Sequence, residues 1–253
     1  MAGSDSVAGR ENLPAGAAQF ADTRWSVVVS AADKKNPTQA LQSLEKLCQA
    51  YWHPLYFYAR RQGESPHDAQ DLTQEFFVRF LREDFLDSVD RSKGRFRSFL
   101  LAAFTHFLSN ERDKRRAQKR GGGHVIIPIH LESAETQYGF QPADKMTAEK
   151  LFERQWALTL LERTTTRLGE EYERAGKAAL FDRLKITLTE PKGAIAYAEL
   201  GQALNISEGA IKVAVHRLRV RYREILRAEA VETLANPADV EDEVRHIFRA
   251  LGG

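Results

Sequence analysis

The sequence predicts an all-α protein made of two small helical domains joined by a linker, with a helix-turn-helix in the C-terminal domain. Apolar residues recur every third or fourth position through much of the chain, as at Leu41, Leu44 and Leu47, which is the spacing of one face of an α-helix. The β-branched run at residues 125–129 contains a proline and stands alone, so it predicts at most one isolated strand. Two basic segments in separate helical stretches indicate a polyanionic partner.

Composition limits the class of protein. The chain has 253 residues, 43% hydrophobic content and a formal net charge of +2, which support apolar cores rather than disorder. A single cysteine, Cys48, excludes an internal disulfide and a cysteine-rich metal site. Nothing resembles a signal peptide and no apolar run is long enough to span a bilayer, so we expect a soluble cytoplasmic protein with no membrane partner and no cofactor.

Five segments are expected along the chain. Residues 1–20 are small and polar and predict a flexible tail. Residues 21–120 form the first domain, and residues 121–146, which open with three glycines, form the linker. Residues 147–230 form the second domain. Residues 231–253 are a C-terminal extension that contains an acidic helix.

Three helices are predicted in the first domain. Apolar spacing indicates one helix over residues 41–61. Ser65 as N-cap, Pro66 at the first helical position and Asp68 three residues after the cap begin the second helix. The third begins at Phe96 and runs into a basic segment. The apolar faces of the second and third helices are Ala69, Leu72, Phe76 and Phe80, and Phe96, Leu100, Ala103 and Phe107.

Acidic side chains line one face of the second helix. Asp68, Asp71 and Glu75 follow one another at intervals of three and four, with Gln74 beside them. Three interpretations stay open: a solvated surface, a site for a divalent metal or for acid–base chemistry, and a docking face for a basic partner helix. No histidine is spaced to join these carboxylates as a metal ligand.

The third helix interleaves phenylalanines with bases. Its end, residues 112–120, holds six Lys/Arg and one acid. Cationic side chains bind the backbone of a single nucleic-acid strand, while aromatic faces and pockets accept unstacked bases. Because phenylalanines at helical spacing usually form a core, we assign Phe99, Phe104 and Phe107 mainly to the core. Contact with a strand is assigned to the basic and amide-bearing side chains of this helix.

The second domain contains the helix-turn-helix pattern. Residues 147–188 predict a helical block, and Pro191 interrupts it. A short helix that ends at Leu204 follows, then Asn205 as a left-handed turn residue, then Ser207 as the N-cap of a further helix. A duplex-reading helix-turn-helix needs this order of elements.

The last helix of this pattern has two faces. The side chains expected to face inward are Ile211, Ala214, Leu218 and Tyr222. The side chains expected on a basic face are Lys212, His216, Arg219 and Arg223, flanked by Arg217 and Arg221. Residues 212–227 hold six Lys/Arg and one acid. The alternative to a DNA-reading face is a solvated basic face on a packing helix.

Two motifs resemble the ECF (extracytoplasmic function) sigma factors of bacterial RNA polymerase. The run Asp68-Ala-Gln-Asp71-Leu-Thr-Gln-Glu75-Phe-Phe is similar to their motif Asp-Ala-Glu-Asp-Leu-x-Gln-Glu-x-Phe. The run from Tyr197 to Arg219 is similar to their C-terminal DNA-reading domain. The two motifs stand in the right order along the chain.

The resemblance covers residues 40–120 and 150–228 and implies a promoter-specificity subunit without a catalytic site. The implied partners are core RNA polymerase, through its β′ clamp and β flap, and promoter DNA, while an anti-sigma factor stays open. The resemblance assigns polymerase binding to Asp68, Asp71, Gln74 and Glu75. It assigns the −35 duplex to Ser207, Glu208, Lys212, His216, Arg217, Arg219 and Arg221. It assigns the parted −10 strand to Arg95, Arg97, His106, Asn110, Arg112, Arg115, Arg116 and Lys119.

The chain departs from the family pattern at several places. His106 stands where Asn is common in the family, and Asn110 where Asp is common. The block at residues 147–188 is longer than in minimal members. The resemblance assigns nothing to the extension at residues 231–253. We interpret its acidic helix as one that packs on the second domain or the linker and holds the free protein closed.

Two other functions fit the residues. A stand-alone helix-turn-helix regulator would bind duplex DNA by itself, as a dimer on two half-sites, although no dimer helix is evident. A metal-dependent nucleic-acid enzyme would use Asp68, Asp71 and Glu75. The chain lacks a glycine-rich phosphate-binding loop, and we expect a protein that is not an enzyme.

Overall fold

The computed structural model describes residues 37–82, 95–117, 146–190, 197–234 and 236–252. Every regular element within these ranges is helical, which confirms the all-α class. Three expectations concern residues outside these ranges: the N-terminal tail, the isolated strand and nearly all of the linker. None of the helices described here is both long enough and apolar enough to cross a bilayer.

Three helices form the first part of the structure: α1 (Pro37–Arg61), α2 (Pro66–Arg82) and α3 (Phe96–Ala117). The start of α2 is the predicted cap. The Ser65 hydroxyl accepts a hydrogen bond from the Asp68 amide at 3.1 Å and donates one to the Asp68 carboxylate at 2.7 Å. This cap satisfies an amide that the first helical turn leaves free, and it therefore fixes where α2 begins.

The remaining helices are α4 (Ala148–Arg174), α5 (Ala178–Leu184), α6 (Tyr197–Leu204), α7 (Glu208–Val231) and α8 (Val240–Gly252). Short 3-10 helices follow α5, at Lys185–Leu188, and precede α8, at Pro237–Asp239. The predicted block at residues 147–188 is therefore two α-helices and a 3-10 turn. Gly176 separates α4 from α5 with a φ of +68°, the left-handed conformation in which many helices end.

The first apolar cluster joins α1, α2 and α3 to the first half of α4, the C-terminal end of α7 and α8. All eight side chains predicted on the apolar faces of α2 and α3 are buried in it. Phe76 lies among aromatic rings, with centroids 5.0 Å from Phe104 and 5.6 Å from Phe107. Phe104 and Phe107 are buried and Phe99 packs against the cluster, so their assignment to the core is confirmed.

The second apolar cluster lies where α4, α5 and α7 meet. Its buried members are Leu168, Phe181, Leu184, Ile211, Val215, Leu218 and Ile225. Leu200 and Leu204 of α6 are partly buried against it. Because α6 and α7 both pack on this cluster, the angle between them is fixed by the core beneath them.

Helices α4 and α7 each contribute to both clusters. Leu151 and Trp156 of α4 belong to the first cluster, and Leu168 of the same helix belongs to the second. In α7, Leu226 belongs to the first cluster and Ile211 to the second. The domain boundary at residues 121–146 stays a prediction, and the packing shows that two continuous helices connect the clusters.

The C-terminal extension continues the fold. Its helix α8 packs on α4 and α7 and buries Ile247 in the first cluster. This is the packing on the second domain that the sequence suggested. The structure adds a contact with the first part of the chain, because Glu243 of α8 binds Arg97 of α3.

Candidate nucleic-acid interfaces

A tight turn at residues 205–207 joins α6 to α7. Asn205 adopts a φ of +54°, the left-handed turn conformation predicted for it. The Ile206 amide donates to the Gly201 carbonyl at 3.0 Å, and the Ser207 hydroxyl accepts from the Ala210 amide at 3.2 Å. These bonds fix the direction in which α7 leaves the turn.

Gly201 is a residue of this turn that the sequence reasoning missed. A Cβ at position 201 would lie 2.8 Å from the backbone oxygen of Ile206, closer than real Cβ contacts. The close approach of α6 to the turn therefore requires glycine here. A glycine three residues before the end of a short predicted helix is a sequence signal for such an approach.

The first turns of α7 present an exposed basic face. Ile211, Val215 and Leu218 are buried, while Lys212, His216 and Arg217 are exposed. Lys212 pairs with Glu208 one turn earlier at 2.7 Å, and this hydrogen bond raises the pKa of the Lys212 ammonium. Burial of Ile211 and Leu218 confirms the prediction, whereas Ala214 and Tyr222, also predicted to face inward, are only partly buried and the buried Val215 was not predicted.

Two arginines of the predicted basic face are bound within the protein. Arg219 is half-buried and donates two hydrogen bonds to the Thr187 carbonyl, at 3.2 and 2.7 Å. Arg221 binds Glu171 of α4 and Glu224, each at 2.7 Å, and these hydrogen bonds raise its pKa. In this conformation both arginines hold α7 on its neighbours.

An apolar side chain on the exposed face was also missed. Val213 is 50% exposed and lies on the side of α7 opposite Ile211, between His216 and Arg217. Half of this side chain is open to solvent, and in a major groove an apolar group of this kind can contact the methyl of thymine. Ile206, in the turn, is exposed beside it.

The acidic row of α2 is partly neutralised by basic neighbours. Asp68 lies 3.1 Å from Arg115 of α3, and Asp71 lies 3.2 Å from His67. Glu75 forms an ion pair with Arg79. The row is thus half-open to solvent and in contact with basic side chains of its own chain.

Two further carboxylates bind α3 to α2 and to the turn before α2, and the sequence reasoning did not single them out. Glu64 binds Arg112 at 2.7 Å and Arg115 at 3.5 Å. Glu111 binds Arg79 at 2.7 Å. Burial raises the pKa of Glu111, but hydrogen bonds from Lys114 and Arg79 outweigh it, and the pKa lies below its ordinary value. A phosphate would have to compete with Glu64 for Arg112 and Arg115.

The structure corrects the expectation for Arg97. Its side chain is 1% exposed, binds Glu153 at 2.8 Å and forms an ion pair with Glu243. Its guanidinium also lies 4.0 Å from the ring centroid of Trp156. Arg97 therefore cannot contact a nucleic-acid strand in this conformation, because three helices enclose it.

The side chains of Arg116 and Lys119 lie outside the described part of the structure.

A cavity of about 360 Å³ opens between α2 and α3. Its walls are Phe76, Arg79, Phe80, Ala103, His106, Phe107, Asn110, Asp113 and Lys114. It brings together two of the predicted strand-binding residues, since the Asn110 amide donates to His106 at 3.3 Å. Aromatic walls with a few polar groups at the rim suit a small planar ligand.

The described residues do not bring together a metal site. Within them, no group of three His, Cys, Asp or Glu side chains is placed to hold an ion. Asp68, Asp71 and Glu75 are each bound to a different basic residue instead. Cys48 is half-buried, and burial raises the pKa of its thiol to about 11, so the thiol is protonated at neutral pH.

Comparison with known proteins finds similarity to a protein family and to a characterised sigma factor. The family model for sigma-70 region 2 matches residues 47–118, which span the C-terminal part of α1, α2 and α3. The ECF RNA polymerase sigma factor SigE of Mycolicibacterium smegmatis (strain ATCC 700084 / mc(2)155) is 25% identical over 223 residues, which cover 85% of this chain and 76% of that protein. No solved structure is a significant match.

Proposed function

Because the chain is a sigma factor of the ECF family, we propose that it binds core RNA polymerase, recognises the −10 and −35 promoter elements and helps to open DNA for transcription initiation. The observation that carries this proposal is that separate helices carry two different surfaces, each of a kind suited to nucleic acid. The exposed basic face of α7 suits an intact duplex, and the cavity beside His106 and Asn110 suits a base that has left the stack.

The proposed −35 contact uses the exposed start of α7. Lys212, His216 and Arg217 lie on the side away from the second apolar cluster, and Val213 stands between them. A recognition helix places its first turns against base edges, so Val213 and His216 would meet bases while Lys212 and Arg217 meet phosphates. Ser207 and Glu208 at the helix start complete this surface. We assign Arg219 and Arg221 to holding α7 in position.

The proposed −10 contact uses the cavity between α2 and α3. Extruding one base from the stack costs a few kcal/mol, and capture of the base in a protein pocket offsets that cost. Phe107 supplies an aromatic wall, with the Arg79 guanidinium 5.3 Å from its ring centroid, and Asn110 supplies amide hydrogen bonds. Arg112 and Arg115 would hold the strand backbone after releasing Glu64.

The proposed polymerase contact uses the acidic row of α2. Asp71 and Glu75 are partly exposed and sit in the segment that matches sigma-70 region 2. Their present partners, His67 and Arg79, lie on the same helix, so docking on a basic surface of the polymerase exchanges one ion pair for another. We assign Asp68 and Gln74 to the same surface.

The test is co-purification with core RNA polymerase together with run-off transcription. We expect the double variant Asp71→Asn, Glu75→Gln to lose polymerase affinity at least tenfold, because two charges leave the proposed interface. Its circular dichroism should match that of the wild type, since neither side chain is buried. Glu45→Gln is the matched control, because Glu45 is an exposed acid on α1. Failure of the wild-type protein to bind core polymerase would contradict the proposal and favour a stand-alone regulator.

A further inference from the structure

The exposed face at the start of α7 has an apolar centre. Val213 stands at its middle, with Gly209 and Ala210 one turn earlier. His216 and Arg217 lie one turn later on the same face. All five residues are exposed, and half of the Val213 side chain is open to solvent. Along the middle of this face the helix therefore presents apolar groups before it presents charge.

The tip of this face is thin and open. Among the described residues, a Cβ added at Gly209 would come within 4 Å of the Ser207 hydroxyl alone, at 3.9 Å. Ala210 adds a single methyl group. At the edge of the face, Glu208 and Lys212 bind each other at 2.7 Å. A flat partner can thus reach Val213 without displacing a large side chain.

The stability of the helix does not account for a valine at position 213. Valine is β-branched and has a lower helix propensity than alanine. Ile211 and Val215 are buried in the second apolar cluster, whereas neither apolar cluster of the described residues includes Val213. A ligand that covers this face would bury the exposed half of the Val213 side chain.

The major groove of DNA presents one kind of apolar group. This group is the C5-methyl of thymine, and the remaining groups on the base edges are hydrogen-bond donors and acceptors. Valine has no side-chain hydrogen bond to offer, so its side chain distinguishes base pairs through the methyl group. The same methyl is present in 5-methylcytosine, at the same ring position.

We propose that Val213 selects a pyrimidine that carries a C5-methyl group, either thymine or 5-methylcytosine, by packing its γ-methyls on that group in the major groove. The place of this contact in the −35 duplex rests on the proposed function, whereas the preference for the methyl applies to any duplex that α7 reads. Removing one methyl group from water contributes about fourfold in affinity. Methylation of a cytosine at this position would therefore strengthen binding.

The test removes single methyl groups from a duplex that the protein itself selects. Random duplexes are enriched on the immobilised full-length chain, with and without core RNA polymerase. Each thymine of an enriched duplex is then replaced by deoxyuridine, which lacks only the C5-methyl, and binding is measured by fluorescence anisotropy. We expect deoxyuridine to weaken binding about fourfold at one or two positions. At those positions 5-methylcytosine should bind about fourfold more tightly than cytosine.

Three variants test whether Val213 is the source of the methyl effect. Val213→Ala removes both γ-methyls and favours the helix, so deoxyuridine should bind as well as thymine while the fold is retained. Val213→Ile keeps a γ-methyl and should keep the preference for thymine. Leu158→Ala removes an exposed aliphatic side chain from α4 and should keep it as well. Urea denaturation of each variant separates a lost contact from a lost fold.

The inference is overturned if deoxyuridine weakens binding at no position, or if the methyl effect persists unchanged in Val213→Ala. It is also overturned if 5-methylcytosine binds no better than cytosine, or if neither selection enriches a duplex. If duplexes are enriched without polymerase but the wild type fails to co-purify with core polymerase, the proposed function fails. The comparison of thymine with deoxyuridine then still decides the role of Val213.

Discussion

At the scale of single residues, Gly201 sets the geometry of the proposed DNA-reading unit. It lies where α6 meets the turn, and a side chain there would press on the Ile206 carbonyl. Backbone atoms cannot move aside as the end of a flexible side chain can. The turn and the start of α7 would have to shift together.

Gly201→Ala should therefore destabilise the protein by about 1–3 kcal/mol, the usual cost of overpacking. Gly209→Ala is the matched control, because a Cβ there would meet only the Ser207 hydroxyl at 3.9 Å. The control should be neutral or stabilising by up to about 1 kcal/mol, since alanine favours helix over glycine. Urea denaturation monitored by circular dichroism measures both. Equal changes in the free energy of unfolding for Gly201→Ala and Gly209→Ala would contradict the close approach of α6 to the turn.

Substitution of Arg217 should weaken DNA binding, whereas substitution of Arg219 should lower the stability of the fold. Arg217→Ala should lower by about 1 the slope of log affinity for duplex DNA against log salt, because one phosphate contact is lost. Its melting temperature should stay unchanged. Arg219→Ala should cost about 1 kcal/mol of stability, since the Thr187 carbonyl loses both donors. Fluorescence anisotropy across a salt series and thermal melts measure these effects. If Arg219→Ala instead reduced the salt slope and left stability unchanged, Arg219 would contact a DNA phosphate, as the sequence first suggested.

Residues whose roles depend on near neighbours were predictable from sequence. Ser65, Asn205 and Ser207 act within four positions of themselves, and the structure confirms all three. Arg97 was not predictable, because its partner Glu243 is 146 positions away. Whether an arginine on a helix is free or enclosed depends on what packs over it, and helical spacing does not contain that information.

At the scale of elements, α2 and α3 form one electrostatic unit. Arginines of each helix bind carboxylates of the other or of the turn before α2, as in the contacts of Arg79 with Glu111 and of Arg115 with Asp68. The sequence predicted an acidic row and a basic segment separately. Their mutual pairing required the two helices to be packed, which sequence spacing alone does not define.

Glu111 gives this unit a pH dependence. Its pKa is lower in the folded protein than in the unfolded chain, so its contribution to stability is present above the ordinary glutamate pKa of about 4.3 and is lost as pH falls below that value. Glu111→Gln should cost about 1 kcal/mol at pH 7 and nothing near pH 2. Urea denaturation across this pH range measures the difference, with Glu170→Gln as an exposed control. A difference that persists unchanged in acid would contradict the pairing.

At the scale of the whole molecule, the continuity of α4 and α7 couples the two apolar clusters. Because each helix contributes buried side chains to both clusters, unfolding of the whole helix exposes part of each cluster. The sequence predicted an all-α architecture in two groups of helices. Both follow from the local spacing of apolar residues and from the glycine-rich segment that separates the groups. It did not predict that two helices would be shared, since periodicity does not reveal where along a helix its packing partner changes.

Leu184→Ala should therefore lower the free energy of unfolding measured by a probe in the first cluster as well as by a probe of the whole fold. The change removes a fully buried side chain from the second cluster, at a cost of about 2–5 kcal/mol. Trp52 and Trp156 lie in the first cluster, so tryptophan fluorescence reports mainly on that part. We expect its urea midpoint to fall together with the midpoint from far-UV circular dichroism. Leu158→Ala, at an exposed position, is the control. A fluorescence midpoint that does not move would show independent domains.

The continuity of α7 has a further consequence for signalling within the chain. The helix is 24 residues long, with the turn residues at its first end and Arg227, the partner of α8, near its last. At about 36 Å, it spans the distance between the proposed −35 surface and the place where α8 packs. If binding of duplex DNA at the first end loosened α8, release of α8 would strengthen DNA binding by the same factor, because coupling between two sites is reciprocal.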